Sequence, residues 1–363
     1  MSVDAQSVRP SELPARARIL IVSDAWPPQV NGVVRTLTTV IGHLRRGGDA
    51  VEVIGPDRFR TVAAPFSPEI RLAVSPRRRL AALVDAFAPD AIHIATEGPL
   101  GWAARALCLR RGWAFTTSFH TKFPDYLHAR LGFPRSWSWA LLRRFHARSA
   151  ATLVATASLE RELQGHGFTR LRHWSRGVNL RQFAPEPRDE WRDMTRPVFL
   201  SVGRVAVEKN LEAFLSLDLP GSKVVIGDGP VRAALQARYP GVHFTGHREN
   251  GQLAASYAGA DVFVFPSRTD TFGLVLLEAL ASGTPVAAFP VTGPLEVLGG
   301  ATEKVGALDE DLRAACLAAL GADRAACRRH AGRWSWEASA TQLRDALVAL
   351  EPKTARVTAE VGA

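Results

Sequence analysis

Residues 261–290 read DVFVFPSRTDTFGLVLLEALASGTPVAAFP, and this stretch decides the predicted fold. Its two apolar runs predict strands, and the polar residues between them predict a loop. Its Leu- and Ala-rich part predicts a helix, because Gly283 and Pro285 follow it as stop signals. Strand, loop, helix and strand are expected at 261–265, 267–271, 273–280 and 286–289. Such a strand-loop-helix-strand unit indicates an α/β domain.

The start of this predicted helix suits an anion. Its first amides have no partner within the helix, and a diphosphate is favoured at such a position. These amides belong to Phe272, Gly273, Leu274 and Val275. Asp270 lies just before them, and Glu278 follows eight positions later, so two carboxylates can flank a bound anion. The other interpretation makes Asp270 a helix cap and Glu278 an ordinary surface acid.

Length and composition indicate a two-domain globular protein. A chain of 363 residues can bury two cores of ordinary size, and its hydrophobic fraction of 47% is typical of globular proteins. No run approaches the ~18 apolar residues of a membrane span. The N-terminus lacks the apolar region of a secretory signal, so we expect a cytoplasmic location. The three cysteines show no metal-binding spacing, which favours buried or neutral thiols.

The formal charge of +10 is concentrated in the first half, at residues 77–79, 110–111 and 143–144. Such clusters attract the phosphates of lipids, nucleotides or nucleic acids, although a solvated arginine-rich surface is the competing interpretation. The segment 133–145, FPRSWSWALLRRF, suits a helix lying on anionic lipid or one packed on its own domain. No nucleic-acid-binding module is recognised, so no nucleic-acid partner is expected.

The first half begins with a predicted strand at 18–23, a loop containing Asn31 and Gly32, and a helix from Val33 to Arg46. Ligands of open α/β sheets bind at this edge of the sheet. Gly32 lets the backbone approach a phosphate, or it simply makes a turn. His120 follows another predicted strand at the same edge, where a lone histidine is more often structural than catalytic.

The second half opens with a strand at 197–202, which leads into Gly203, Arg204 and Lys209 before a helix. Cations at a helix start oppose its dipole and therefore indicate an anionic partner. Gly227 follows the next strand, in a turn with either a structural or a nucleotide-binding role. The Pro-rich charged run 185–196 is the best boundary signal. Residues 1–16 are expected to form a loose leader and 351–363 a disordered tail.

Together these motifs resemble the family 4 retaining glycosyltransferases, which have the GT-B fold, and in particular bacterial GDP-mannose-dependent α-mannosyltransferases. The resemblance rests on the acidic pair of Asp270 and Glu278, where most members have Glu at the first position, and on the G-R-x4-K element at 203–209. Weaker parts are TSFHTKFPDYLHARLG at 117–132, RGVN at 176–179 and WSWE at 334–337.

The resemblance implies two doubly wound, Rossmann-like domains that face a central cleft. The implied parts are an acceptor-side domain (1–187), a nucleotide-sugar domain (188–334), a helix crossing back to the first domain (335–350) and a tail (351–363). The implied catalytic residues are His120, Arg204, Lys209 and Asp270. The implied donor-binding residues are Gly32, Gly203, Arg204, Lys209, Gly227, Phe272, Gly273, Leu274, Val275 and Glu278.

In the family the first acid contacts the donor sugar, the second binds the ribose, and the Arg and Lys neutralise the diphosphate. The implied reaction moves a mannose- or glucose-type hexose from GDP-mannose or a UDP-hexose to a hydroxyl of a lipid or glycan, with retention. No metal and no other cofactor are implied, because the cations and the helix start can stabilise the leaving group. The site would be cytoplasmic, with an anionic inner membrane face as a further candidate partner.

Two alternatives remain open at this level. A GT-B sugar-nucleotide epimerase would release a sugar nucleotide without using an acceptor. A non-catalytic binder of anionic lipid or polymer would not need Lys209, Asp270 or Glu278.

Overall fold

The computed structural model describes residues 13–29, 31–64, 67–120 and 134–350. The expected tail at 351–363, most of the expected leader and residues 121–132 of the TSFHTKFPDYLHARLG motif lie outside the described residues.

The first half forms a parallel sheet with helices on both faces. Its strands are β1 (Arg18–Val22), β2 (Ala50–Ile54), β3 (Thr61–Ala64), β4 (Ser67–Ala73), β5 (Ala91–Ile94), β6 (Thr116–Ser118), β7 (Ala151–Val154) and β8 (Leu171–His173). Its helices are α1 (Gly32–Arg46), α2 (Arg77–Phe87), α3 (Pro99–Arg111), α4 (Arg135–His146) and α5 (Ala157–Gly165). The parallel sheet has the order β2-β1-β5-β6-β7-β8, and β3 and β4 pair as a separate antiparallel hairpin.

The second half repeats this architecture. Its strands are β9 (Val198–Val202), β10 (Ser222–Ile226), β11 (His243–Gly246), β12 (Val262–Phe265), β13 (Val286–Ala288) and β14 (Gly306–Leu308). Its helices are α6 (Glu212–Leu215), α7 (Arg232–Arg238), α8 (Asn250–Gly259), α9 (Leu274–Ala281), α10 (Thr292–Leu298), α11 (Leu312–Ala319), α12 (Arg324–Ala331) and α13 (Trp336–Ala346). The sheet has the order β11-β10-β9-β12-β13-β14.

The strand orders place a ligand-binding crevice in each half. The first sheet changes direction between β1 and β5, and the second between β9 and β12. Ligands of open α/β sheets bind outside the carboxyl ends of the strands at such a switch point. The chain segments that follow β9 and β12 are the ones that the sequence singled out, 203–210 and 266–273. The predicted fold class, two doubly wound α/β domains, is confirmed.

The last helix belongs to the second half in sequence and to the first half in packing. The apolar face of α13 packs on α1, where Leu37, Val40 and Leu44 share one buried cluster with Ala340 and Leu343. None of the helices in the described ranges combines the length and the apolar content that crossing a bilayer requires.

Several local predictions were incomplete. The hairpin of β3 and β4, the short strand β14 and the helix α8 were not predicted. The helix expected after Lys209 is only the single turn of α6, and a 3₁₀ turn at Val207–Lys209 precedes it. Helix ends differ from the predicted ones by up to four residues, because fraying ends carry weak sequence signals.

Candidate functional site

The loops that follow β9 and β12 lie side by side and are joined by hydrogen bonds. Asn210 Nδ2 donates to the carbonyl oxygen of Pro266 at 3.1 Å, and Thr269 Oγ1 donates to the carbonyl of Glu208 at 3.2 Å. Between these bonds, Lys209 Nζ lies 2.6 Å from Asp270 Oδ1. The structure therefore brings together the cation and the acid that the sequence placed 61 residues apart.

Asp270 has one carboxylate oxygen without a partner. Its Oδ1 is held by Lys209, whereas Oδ2 is buried and has no hydrogen-bond partner among the described residues. A buried, unsatisfied carboxylate oxygen costs free energy, and such an atom points to a ligand that donates a hydrogen bond. The interpretation of Asp270 as a helix cap is wrong, because the cap position of α9 belongs to Gly273.

The start of α9 is not capped by a side chain. Gly273 takes the cap position with φ 87° and ψ 80°, in the left-handed region that favours glycine, and within the described part of the chain no side-chain cap bond to the first amides is seen. Leu274 and Val275 are half-buried and open this helix. Phe272 has a buried side chain that packs edge-on against Trp334, with ring centroids 5.4 Å apart. Only the backbone of Phe272 could therefore take part in anion binding.

Glu278 lies on the buried side of α9 and not on its surface. Its side chain is 3% exposed, and Oε1 forms an ion pair with Arg35 on α1. The hydroxyl of Tyr257 donates to Oε2 at 3.0 Å. Burial raises the pKa of Glu278, while the Arg35 charge and the two hydrogen bonds act in the opposite direction. The interpretation of Glu278 as an ordinary surface acid is therefore wrong.

The G-R-x4-K element combines a close backbone contact with a half-buried cation. A Cβ at Gly227 would lie 1.9 Å from the carbonyl oxygen of Gly203, so this glycine is required by packing. A Cβ at Gly203 would meet nothing within 4 Å, although its φ of 152° disfavours any side chain. Arg204 Nη1 lies 3.6 Å from Glu208 Oε1, and its side chain is one-third exposed. Whether Gly203, Arg204 and Gly227 contact a donor stays a prediction.

The first domain presents its own helix start, and here a side chain caps it. Asn31 Oδ1 accepts from the amides of Val33 and Val34, each at 3.0 Å. Gly32 is exposed, and a Cβ there would meet nothing within 4 Å. The room beside Gly32 is compatible with a close phosphate, but a contact of Gly32 with the donor stays a prediction.

His120 lies at the predicted sheet edge and contacts both domains. Its Nε2 lies 2.9 Å from Ser118 Oγ and its Nδ1 lies 3.3 Å from Arg176 Nη2. Because a guanidinium can only donate, Nδ1 accepts and the ring proton resides on Nε2. The carbonyl oxygen of His120 accepts from Thr271 Oγ1 at 2.7 Å, which connects it to the loop that precedes α9.

His120 lies beside a buried positive charge. Arg176 is buried beneath the cleft, over the ring of Trp174, and burial lowers its pKa to about 9. Burial and the Arg176 charge lower the pKa of His120 well below its usual value. Burial and the same charge lower the pKa of His93 to about 3. Both imidazoles are therefore neutral at pH 7, and a direct contact of His120 with a sugar stays a prediction.

Sequence reasoning missed three residues of this site. Arg35 and Tyr257 hold Glu278, and Thr271 binds the backbone of His120. Arg35 carries a weak signal, since it follows the predicted loop by one helical turn. Tyr257 carries none, because only the packing of α8 against α9 brings it to the acid. Among the described residues no group of three or more His, Cys, Asp or Glu side chains could hold a metal ion.

Comparisons with known proteins agree with this geometry. Residues 30–182 match the model of Glycosyltransferase Family 4, and residues 196–321 match that of Glycosyl transferases group 1. A GDP-mannose-dependent alpha-mannosyltransferase of Mycolicibacterium smegmatis is 34% identical over 307 residues, which cover 77% of this chain and 82% of the relative. An alpha-monoglucosyldiacylglycerol synthase of Streptococcus pneumoniae is 28% identical over 75% of this chain and 70% of its own length.

The fold is also shared with a solved structure. Sucrose-phosphate synthase from Thermosynechococcus elongatus superposes with a TM-score of 0.71 over 91% of this chain and 98% of that chain, at 22% identity. This likeness confirms the predicted GT-B architecture. Taken with the sequence relatives, it shows that the chain belongs to the family 4 glycosyltransferases and is an enzyme that transfers a hexose from a nucleotide sugar to an acceptor.

Proposed function

We propose that this enzyme transfers mannose from GDP-mannose to a hydroxyl of a lipid acceptor at an anionic membrane surface, with retention of configuration. The observation that carries the donor assignment is the unpartnered Oδ2 of Asp270, which lies beside Lys209 and before the uncapped start of α9. The mannosyl group and the guanine base are inferred from the GDP-mannose-dependent relative.

The donor site divides the work among backbone and side chains. The amides that open α9 would bind the diphosphate, since a helix start favours an anion. Lys209 and Arg204 would stabilise the negative charge that grows on the leaving nucleotide. Asp270 Oδ2 would accept a hydrogen bond from a sugar hydroxyl. With two cations and a helix start available for the leaving group, we propose that transfer needs no metal.

The acceptor side is inferred from the surface of α4. Trp137 and Leu141 are 70% and 53% exposed, and Arg143 and Arg144 are exposed on the same helix. Apolar side chains beside arginines suit a surface of anionic lipid, where the former bury and the latter meet headgroups. The diacylglycerol named for one relative also favours a lipid acceptor.

A basic groove next to α4 strengthens this inference. It has a volume of about 380 Å³ and is lined by Arg77, Arg105 and Arg144 together with Trp102. Burial and then the charges of Arg144 and Arg148 lower the pKa of Arg105. An anionic headgroup in this groove would relieve the repulsion among these arginines.

The donor proposal is tested by thermal-shift measurements with GDP-mannose, GDP, UDP-glucose and UDP, followed by product analysis with a membrane lipid extract. We expect stabilisation by the guanine nucleotides and a mannosylated lipid whose formation persists in EDTA. Stabilisation by uridine nucleotides alone would overturn the choice of donor. Release of an altered sugar nucleotide without acceptor would favour the epimerase instead.

The membrane proposal is tested by flotation with vesicles of phosphatidylcholine, with or without phosphatidylglycerol. We expect co-flotation with the anionic vesicles at low salt, and its loss in a variant that combines Trp137→Ala with Arg144→Ala. Arg192→Ala, an exposed arginine of the second domain, is the matched control and should float like the wild type. Equal flotation of all three proteins, or of none, would contradict the assignment of this surface.

A further inference from the structure

Arg35 and Glu278 form an ion pair that spans the cleft. Arg35 lies in the first turn of α1, in the first domain, and its Nη1 contacts Glu278 Oε1 on α9, in the second domain. The Arg35 guanidinium also lies 5.7 Å from the ring centroid of Phe183. Glu278 is therefore held in part by a residue of the opposite domain.

The two partners differ strongly in exposure. The side chain of Arg35 is 42% exposed, whereas that of Glu278 is 3% exposed. On the other side of the carboxylate, Tyr257 is fully buried and donates to Oε2. The solvent-facing member of this cluster is thus the arginine, and a ligand hydroxyl that reaches Glu278 from the cleft will lie beside Arg35.

Arg35 supplies the counter-charge that this buried acid needs. A buried carboxylate is costly unless it is paired, and Tyr257 on α8 contributes a neutral phenol. The other ionisable side chains near α9 among the described residues bind elsewhere. On α12, Arg328 binds the carbonyls of Leu180, Phe183 and Ala281, Cys327 that of Val305 and His330 that of Val297; on α10, Glu296 binds the amide of Ala157.

We propose that Arg35 is a positioning residue of the donor site: from the first domain it holds the Glu278 carboxylate ionised and oriented for the nucleotide ribose, so that donor binding depends on contact between the domains. This inference rests on the proposed function, in which Glu278 accepts hydrogen bonds from ribose hydroxyls. An ionised carboxylate offers two accepting oxygens, whereas a protonated one turns one oxygen into a donor.

The arrangement couples two events. If α1 moved away from α9, Glu278 would lose the counter-charge of Arg35 and keep the hydrogen bond from Tyr257, which carries no charge. The protonated fraction of Glu278 would then increase, because burial raises the pKa of this carboxyl and the Arg35 charge would no longer lower it. Ribose binding and approach of the domains therefore favour each other, and by linkage each strengthens the other equally.

The test is a calorimetric titration with GDP over a range of pH, using the wild type, Arg35→Ala and Arg35→Lys. Loss of Arg35 raises the pKa of Glu278 further, so the acid limb of GDP binding should move to higher pH. Each unit of this shift weakens GDP binding about tenfold on the acid side and leaves it little changed at alkaline pH. Arg35→Lys should keep most of the wild-type profile, and Arg46→Ala, at the exposed end of α1, should match it.

Two results would overturn the inference. One is an Arg35→Ala profile that superposes on the wild-type profile. The other is an equal loss of GDP affinity when Arg35→Ala is added to Glu278→Gln, since Arg35 would then act without the acid. If the wild type binds neither GDP nor UDP at any pH, the proposed function itself fails, which is a separate result. Thermal unfolding of every variant confirms that the proteins compared are folded.

Discussion

The cleft has two walls: the donor wall, formed by α9 and the loops before it, and the first wall, opposite it, formed by α1 and the sheet edge at His120. Each wall presents a helix start, but the two differ in which polar groups are already hydrogen-bonded. On the donor wall, α9 starts without a side-chain cap, and Asp270 keeps one oxygen without a partner among the described residues. On the opposite wall, Asn31 caps α1, and both ring nitrogens of His120 have protein partners. One wall is thus prepared for a ligand, and the other is largely satisfied by its own residues.

This difference suggests how the work is divided. A polar network whose groups are all hydrogen-bonded is rigid. The first wall can therefore keep its shape while the nucleotide sugar binds to the donor wall. The donor wall carries unpaired groups, and their cost is recovered when a ligand binds. Apart from Arg35, which contacts Glu278 across the cleft, substitutions on the two walls should therefore differ in effect: those on the donor wall should lower activity, and those on the first wall should lower stability.

The largest expected effect follows from removing the cation of the donor wall. Lys209→Ala removes the charge next to Asp270 Oδ1, and we expect transfer from GDP-mannose to fall about a hundredfold, equivalent to ~3 kcal/mol. Initial rates of product formation measure the effect. Lys209→Arg is the control that keeps a cation and should retain more activity than the alanine variant. Unaltered turnover in Lys209→Ala would remove Lys209 from the donor site.

A second variant closes the uncapped helix start. Gly273→Asp places a carboxylate where the diphosphate is expected, and repulsion should weaken GDP binding by about tenfold or more. Gly273→Ala is the matched control, because it introduces the same strain at φ 87° without the charge. Calorimetry with GDP measures both. Equal affinities in the two variants would argue against a diphosphate at α9.

The first wall should respond to acid. His93 is neutral in the folded protein down to about pH 3, whereas in the unfolded chain it takes up a proton below about pH 6.5. The unfolded state binds more protons in this window, so His93 alone should lower the free energy of unfolding by about 1.4 kcal/mol for each pH unit well below 6.5. Urea unfolding at several pH values measures this slope. His93→Gln should give a shallower slope than the wild type, and an identical slope would contradict the burial of a neutral imidazole.

The smallest expected effect is on the capped helix start. Asn31→Ala removes the acceptor of the Val33 and Val34 amides, and we expect about 1 kcal/mol less stability in urea unfolding. Asn31→Asp keeps an acceptor oxygen and should retain most of the stability. The donor KM should change less than in Gly273→Asp. A larger change would mean that the α1 start also binds the donor, as the Gly32 prediction implies.

The elements at 261–290 were predictable because their signals are local. Buried parallel strands leave continuous apolar runs such as that of β12, and glycines mark the turns at both ends of α9. The same holds for β9 and for the loop that carries Lys209. The pairing of Lys209 with Asp270 follows from topology, since both loops leave the switch point of one sheet.

The surroundings of Glu278 were not predictable, because they come from packing between distant segments. Its position on the buried side of α9 depends on α8 and on a helix of the other domain. The hairpin of β3 and β4 was missed because it lies outside both parallel sheets. The exposed Trp137 and the buried Trp139 show a similar limit, since the sequence of α4 did not fix which face would be covered.

The packing of Gly177 against Trp336 bears on how the halves can rotate. The chain passes between the domains at 174–198 and again at 334–336, and these two passes touch: a Cβ at Gly177 would lie 2.3 Å from the Trp336 amide nitrogen. Two interdomain segments in contact define an axis about which the domains can rotate. A bulky residue at 177 would separate these two segments and keep the two domains from closing, although every substrate-facing group would remain intact.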